Sequence, residues 1–301
     1  PTPTPTPPPT TGSCTTQVWQ QLEACGWPGP TNTGYPAGTA LTNTSGRTIS
    51  ASNVVIDGEK ITGGLTITGQ NVTIKNSWIT KYVAAGEAAN GTGVINVKPG
   101  ASAIIDHVTL DGQDGTHACV WHEGTSVTIK YVNCYGANDG IFSWKGDNFT
   151  INDNYIHNLS SKASNGHIDG FQTEGAANGT ITHNTIDVNA EQNAAVSIWN
   201  SLKTSNNIAV SNNLLAGGGF TVYAQDSDPS QASPSGVFTV TNVTFTNNKF
   251  SRVHYGCIGF YGVWYTRGAP TDGWRRTGNT ILETGTNIDN GNPTYNGSPC
   301  N

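Results

Sequence analysis

The chain has 301 residues, of which only 11% are charged, with 37 glycines and a formal net charge of −6. So little Lys, Glu and Arg argues against long solvated helices, and an acidic balance with no basic run excludes a nucleic-acid partner. No apolar run is long enough to span a bilayer, so no membrane partner is expected.

Residues 1–11 form a Pro-Thr tract, which favours extended polyproline II and reads as a semi-rigid linker. No signal peptide is visible, so the chain reads as the mature part of something longer, with a second module before Pro1. Residues 12–46 are expected to form an N-terminal cap. Within it a short helix is predicted over residues 16–25, with Thr15 or Thr16 as cap and Val18, Leu22 and Cys25 on one face. Its expected task is to cover the open end of the sheet that follows.

There are six cysteines and no CxxC pair. An even count beside a Pro/Thr tract points to an oxidising, extracellular compartment and to structural disulfides. Joining sequence neighbours, as Cys14–Cys25, Cys119–Cys134 and Cys257–Cys300, is the simplest of the possible pairings.

Residues 47–285 repeat. Val72-Thr73-Ile74-Lys75-Asn76-Ser77-Trp78-Ile79 matches Phe149-Thr150-Ile151-Asn152-Asp153-Asn154-Tyr155-Ile156, and the pattern returns at Thr180, Val210, Phe245 and Gly278. The spacing is irregular, each unit holds two or three short alternating strands, and the units are too short for propeller blades. A parallel β-helix is the architecture that remains. Asn154, Asn184, Asn213, Asn248 and Asn279 fall at one place in successive units, where stacked amides can bond coil to coil. Sequons such as Asn71-Val72-Thr73 and Asn148-Phe149-Thr150 lie on the strands and read as part of the coil pattern. Residues 286–301 form a Gly-Asn-Pro-rich tail stapled at Cys300.

The richest chemistry lies in His167-Ile168-Asp169-Gly170-Phe171-Gln172-Thr173-Glu174-Gly175, echoed by Asn138-Asp139-Gly140-Ile141-Phe142-Ser143-Trp144-Lys145-Gly146. Alternate side chains of a strand point in and out. Aligning the coils places Val120, Ile141, Phe171, Val196 and Phe220 inward, and His122 with Ser143 and Thr173 inward two residues on. Trp121, Phe142, Gln172, Ser197 and Thr221 then point outward, as do Glu123, Trp144, Glu174, Trp199 and Tyr223. Aromatic platforms beside carboxylates and amides suit sugar rings and their hydroxyls. The candidate catalytic residues are Asp169, His167, Asp139 and Glu174. The candidate substrate-binding residues are Trp144, Gln172, Trp199, Tyr223, Glu123, Lys145, Trp121 and Trp264. Taken alone, each Asp-Gly is also ordinary turn chemistry, and His107, His117, His157, His183 and His254 are expected to be structural.

The repeats, the cap cysteine Cys25, the His167–Gln172 segment and the Asn-Asn-Leu-Leu-x-Gly-Gly turn from Asn212 resemble secreted bacterial proteins of the pectate-lyase-like superfamily. The resemblance implies an all-β, single-stranded, right-handed parallel β-helix and a carbohydrate-active enzyme. Polygalacturonases of that superfamily use Asp residues from successive coils, as Asp139 and Asp169 would here. Their Gly-His-Gly and Arg-x-Lys segments have no counterpart, so uronate specificity does not carry over.

Three functions stay open. Hydrolysis of a glycoside needs one protonated and one ionised carboxyl, which Asp139, Asp169 and Glu174 can supply without a cofactor. β-Elimination needs a uronate and a cation, and Ca²⁺ held by the same carboxylates could serve. A non-catalytic carbohydrate-binding or adhesion module would need the rings but not the imidazole beside the carboxylates. The charge balance favours hydrolysis of a polysaccharide by a secreted monomer, with no metal site assigned.

Overall fold

The computed structural model describes residues 13–84, 92–160, 167–225, 238–267 and 274–300. The Pro-Thr linker lies outside them. Strands of successive coils pair in parallel and in register, giving the expected all-β parallel β-helix. Three faces run the length of the solenoid. One stacks Ser126–Lys130, Phe149–Asn152, Ala177–Thr182, Ser205–Ser211 and Val240–Thr246. The second stacks Tyr155–Ile156, Thr185–Val188, Leu214–Gly217 and Lys249–Ser251. The third, which carries the site, stacks 118–122, 139–143, Phe171–Thr173, Val196–Ile198 and Phe220–Gln225.

The third face has one fixed register. Leu65, Ile95, Val120, Ile141, Phe171, Val196, Val222 and Trp264 pair in sequence, and all are buried. This departs from expectation at its late end. Val222, not Phe220, continues the inward column, and Tyr223 lies opposite Ser197. Gly217 and Gly218 both adopt left-handed φ, of 81° and 80°, and this turn sets the strand two residues later than a uniform alignment implies. Trp264 is consequently a core residue and not part of a sugar-binding face. It packs on Phe245 and Phe250, and its Nε1 donates to the Ile288 carbonyl at 2.8 Å.

The asparagine column forms as expected. Asn154, Asn184, Asn213 and Asn248 each donate Nδ2 to the next Oδ1 at 2.8–2.9 Å, and all are fully buried. The left-handed residue of each turn is the one before: Asp153, His183, Asn212, Asn247 and Gly278. The column ends on Asp289, which accepts from Asn279 Nδ2 at 2.7 Å. A carboxylate suits this end because it needs no further acceptor. Burial works to raise Asp289, but bonds from Asn287, Asn279 and Gly278 outweigh it and hold the carboxyl below its usual value. Asn148, Asn178, Asn207 and Asn242 make a second, exposed column, their amides bonded at 3.0–3.2 Å. The sequon asparagines Asn148, Asn178 and Asn242 thus hold the coil together, as read from their position on the strands.

The N-terminal segment corrects two expectations. It holds a one-turn helix, Ser13–Thr16, then 3₁₀ turns at Val18–Gln20 and Glu23–Cys25. The Cys14–Cys25 bridge holds these Cα atoms 5.4 Å apart, while a continuous helix would separate them by roughly 16 Å. Nor does the segment cover an open end. Val18 and Leu22 pack on Leu214 and Leu282, Trp19 donates to Ser251, Trp27 stacks on His183, and Tyr35 stacks on Trp78. It is a strap along the side of the solenoid, running from late coils to early ones. The last coil is closed by the tail, through Ile288, Asp289 and Asn292.

The three disulfides join Cys14–Cys25, Cys119–Cys134 and Cys257–Cys300, as the simplest pairing implies. Among the described residues no helix is long and apolar enough to cross a membrane.

His122 points inward with Ser143 and is fully buried. Burial pushes its imidazole down to about 4, against the Asp147 carbonyl and carboxylate, which work to raise it. It therefore stays neutral in the fold and takes up a proton on unfolding. The associated stability, up to about 3 kcal/mol, is present above pH about 6.5 and is lost as pH falls towards 4. NMR titration should show this ring uncharged at pH 5; a ring titrating at its ordinary value would contradict the burial argument.

Candidate active site

A cavity of about 350 Å³ opens on the third face, lined by groups from four coils. Asp139, His167, Gln172, Glu174, Trp121, Trp144 and Trp199 all line it, so seven of the residues chosen from the sequence converge. Phe142, His117 and Asn193 complete the wall.

Asp139 and Asp169 are in register on adjacent coils, which places the two carboxyls in neighbouring layers. Both are buried. One Asp139 oxygen accepts the Asp169 amide at 3.0 Å, and the other meets His117 Nε2 at 3.2 Å. Asp169 lies behind the wall. It accepts from the Ala194 amide at 3.1 Å, from Asn193 Nδ2 at 3.0 Å and from the Ser197 hydroxyl. Asn193 also contacts His167 Nδ1 at 2.7 Å, and Asn138 donates to the His167 carbonyl. Asp169 is thus built into the support of the site, while Asp139 and Glu174 face the cavity.

The Asp-Gly pairs are not left-handed turns, since neither Gly140 nor Gly170 has positive φ. They are glycine for space. A Cβ at Gly140 would strike the Gly170 carbonyl and Ile156, and one at Gly170 would strike Ile186 and the Ala195 carbonyl. Glycine lets the chain press against the second face and seats each preceding Asp at the site.

Burial raises Asp139, with His117 the main opposing influence. Burial, then the charge of Asp139, drives Asp169 well above the usual carboxylate range against its bonds to Ser197, Asn193 and Ala194. Two such carboxyls titrate as a pair. Glu174 is pushed up to about 7, mainly by burial, against a bond from Gln172 and with the Asp139 charge adding to the rise. Its oxygens accept from Gln172 Nε2 at 2.8 Å and from the Ser201 hydroxyl. The site therefore holds Glu174, half-protonated near neutral pH, beside Asp139, whose carboxyl is raised by burial and opposed in this by the His117 imidazole. That is the pairing proton transfer requires.

Besides Asp169, which lies behind it, four chosen residues lie outside the wall. Glu123 is tied to Lys98 at 2.7 Å, Lys145 is exposed, and Trp264 is in the core. Tyr223 stands beside Trp199, with ring centroids 5.4 Å apart. Trp121 was expected to be exposed on an outward column, yet it is 2% exposed because Phe142, Trp144 and His117 pack round its ring. It still faces the cavity.

His117 was read as structural and is instead a wall residue holding Asp139. No local motif marks it; only the pairing of Ala118 with Asp139 brings it there. Asn193 carried no signal either. His117 Nδ1 and Trp121 Nε1, both on residues of the wall, are buried without a hydrogen-bond partner. Among the described residues no group of three or more His, Cys, Asp and Glu side chains is placed to hold a metal ion.

Comparisons with protein-family models, with curated proteins and with solved structures found no match.

Proposed function

We propose that the protein is a secreted polysaccharide hydrolase acting at this cavity. Glu174 is the general acid, protonating the leaving glycosidic oxygen. Asp139 is the second carboxylate, held by His117. His167, Asn193 and Asp169 position these two. The observation that carries the reading is the convergence of two cavity-facing carboxyls in unlike environments, ringed by Trp121, Trp144 and Trp199. Two carboxyls with different partners, one held by Gln172 and Ser201 and the other by His117, with aromatic walls for sugar rings, are what glycoside hydrolysis needs. The parallel β-helix is compatible with the pectate-lyase-like resemblance, and the disulfides support an oxidising, extracellular setting.

A panel of soluble polysaccharides, with and without chelator, tests this by following new reducing ends and unsaturated-uronide absorbance together. Wild type should release reducing ends without absorbance, and Asp139→Asn should lose about 10²–10⁴ of that rate. Absorbance lost on chelation would replace hydrolysis with cation-assisted elimination. Binding without either signal, and indifferent to Asp139→Asn, would leave a carbohydrate-binding module.

A further inference from the structure

The rings do not stop at the cavity. Trp199 stacks towards Tyr223 at 5.4 Å, Tyr223 towards Tyr265 at 4.8 Å, and Phe220 joins Tyr265 to Tyr261 at 5.2 and 5.7 Å. Tyr223 and Tyr265 are partners in the parallel register, so the row climbs the third face one coil at a time. Tyr261, at its far end, is 45% exposed. A row of partly exposed rings is costly to leave facing water unless it meets a ligand.

We propose that this row is a binding platform for a linear, uncharged polysaccharide lying along the solenoid axis, with its cleaved linkage at the Glu174–Asp139 cavity. This rests on the hydrolase reading and adds to it the substrate class and the direction of the chain. Three observations support the choice. The row is continuous with the cavity through Trp199, so one extended ligand can occupy both. Its groups are phenyl and phenol faces, which stack on the C–H faces of sugars. Two of the cations around the cavity are engaged elsewhere, Lys203 with Asp147 at 2.6 Å and Lys98 with Glu123 at 2.7 Å, which leaves Lys145 at its edge. A polyuronate would bring its carboxylates to a wall already rich in carboxyls, with a single lysine at its edge to receive them.

Affinity electrophoresis of the full chain carrying Glu174→Gln, which leaves polymer uncut, tests the platform. The probes are soluble β-glucan, xylan and glucomannan against polygalacturonate and alginate. At least one neutral polymer should bind, with little change between low and high salt. Adding Tyr223→Ala or Tyr265→Ala should weaken that binding tenfold or more while the melting temperature stays within a few degrees. Val55→Ala, at a 60% exposed position on an early coil, should not. The proposal is overturned by salt-sensitive binding of a polyuronate, by tyrosine variants that bind as the parent does, or by no binding to any probe. The two readings fail separately. Reducing ends released by wild type from a polyuronate would sink the platform and keep hydrolysis, whereas ring-dependent binding of a neutral polymer that wild type never cuts would do the reverse.

Discussion

Glu174→Gln is expected to lower polysaccharide cleavage by about 10²–10⁴ while raising stability at alkaline pH. The amide keeps the shape and can still meet Gln172 and Ser201, but it cannot deliver a proton. The stability effect follows from the same burial. A carboxyl ordinarily near 4.5 is raised to about 7 in the fold. Its contribution is fully present below pH about 4.5 and is lost as pH rises through 7, because ionisation is then easier in the unfolded chain. That loss is roughly 3 kcal/mol, an order-of-magnitude figure, and the glutamine variant escapes it. Denaturant midpoints should therefore coincide near pH 4 and diverge by pH 8, with the variant more stable. Wild-type activity should also fall as pH rises through about 7. A variant that is inactive but never more stable at any pH would show that Glu174 is not the strained, half-protonated group described here.

Asn213→Ala is expected to be strongly damaging, as one of the fully bonded members of the coil column. Asn213 Oδ1 accepts from the Asn184 amide and side chain at 2.9 Å. Its Nδ2 donates to the Ile181 carbonyl, the Ser211 carbonyl and Asn248 at 2.9–3.0 Å. Alanine strands several fully buried groups at once, at about 1–3 kcal/mol for each left unpaired, so a loss of about 3–5 kcal/mol follows. Asn207→Ala, in the exposed column, should cost only about 1 kcal/mol, because water replaces the amide and the main cost is alanine at a left-handed φ. Chemical unfolding of both variants checks the contrast. Equal losses would mean that burial does not govern the strength of the column.

These two sites differ in how much of them could be read from sequence. The asparagine column was fully visible, because each coil must repeat the same turn and the repeat places Asn154, Asn184, Asn213, Asn248 and Asn279 at one position. The cluster of Asp139, His167, Gln172 and Glu174 was visible as composition, since its members crowd two short segments. The division of labour within it was not. Whether Asp139 or Asp169 faces the cavity depends on Asn193, Ser197 and the Ala194 amide, which reach Asp169 from the following coil.

The errors have the same origin. Trp264 looked like a surface ring because it sits in a ring-rich segment, Phe260 to Tyr265, beyond the aligned coils, and only its pairing with Val222 turns it into the core. The N-terminal segment looked like an end cap because an apolar helical spacing shows that a face is buried, not what buries it.

The amino-acid sequence by itself determined the solenoid, the stacked asparagines and the crowding of carboxyls and rings. All are local patterns or repeats, fixed by strand alternation and turn chemistry along the chain. Tertiary structure alone decided the strap along the side, the inward turn of Trp264, the partnership of His117 with Asp139 and the raised affinity of Glu174 for its proton. Each depends on which residue of one coil lies against which of the next, and on how much water that contact excludes. Those quantities are set by register across coils of unequal length, and no stretch of sequence contains them.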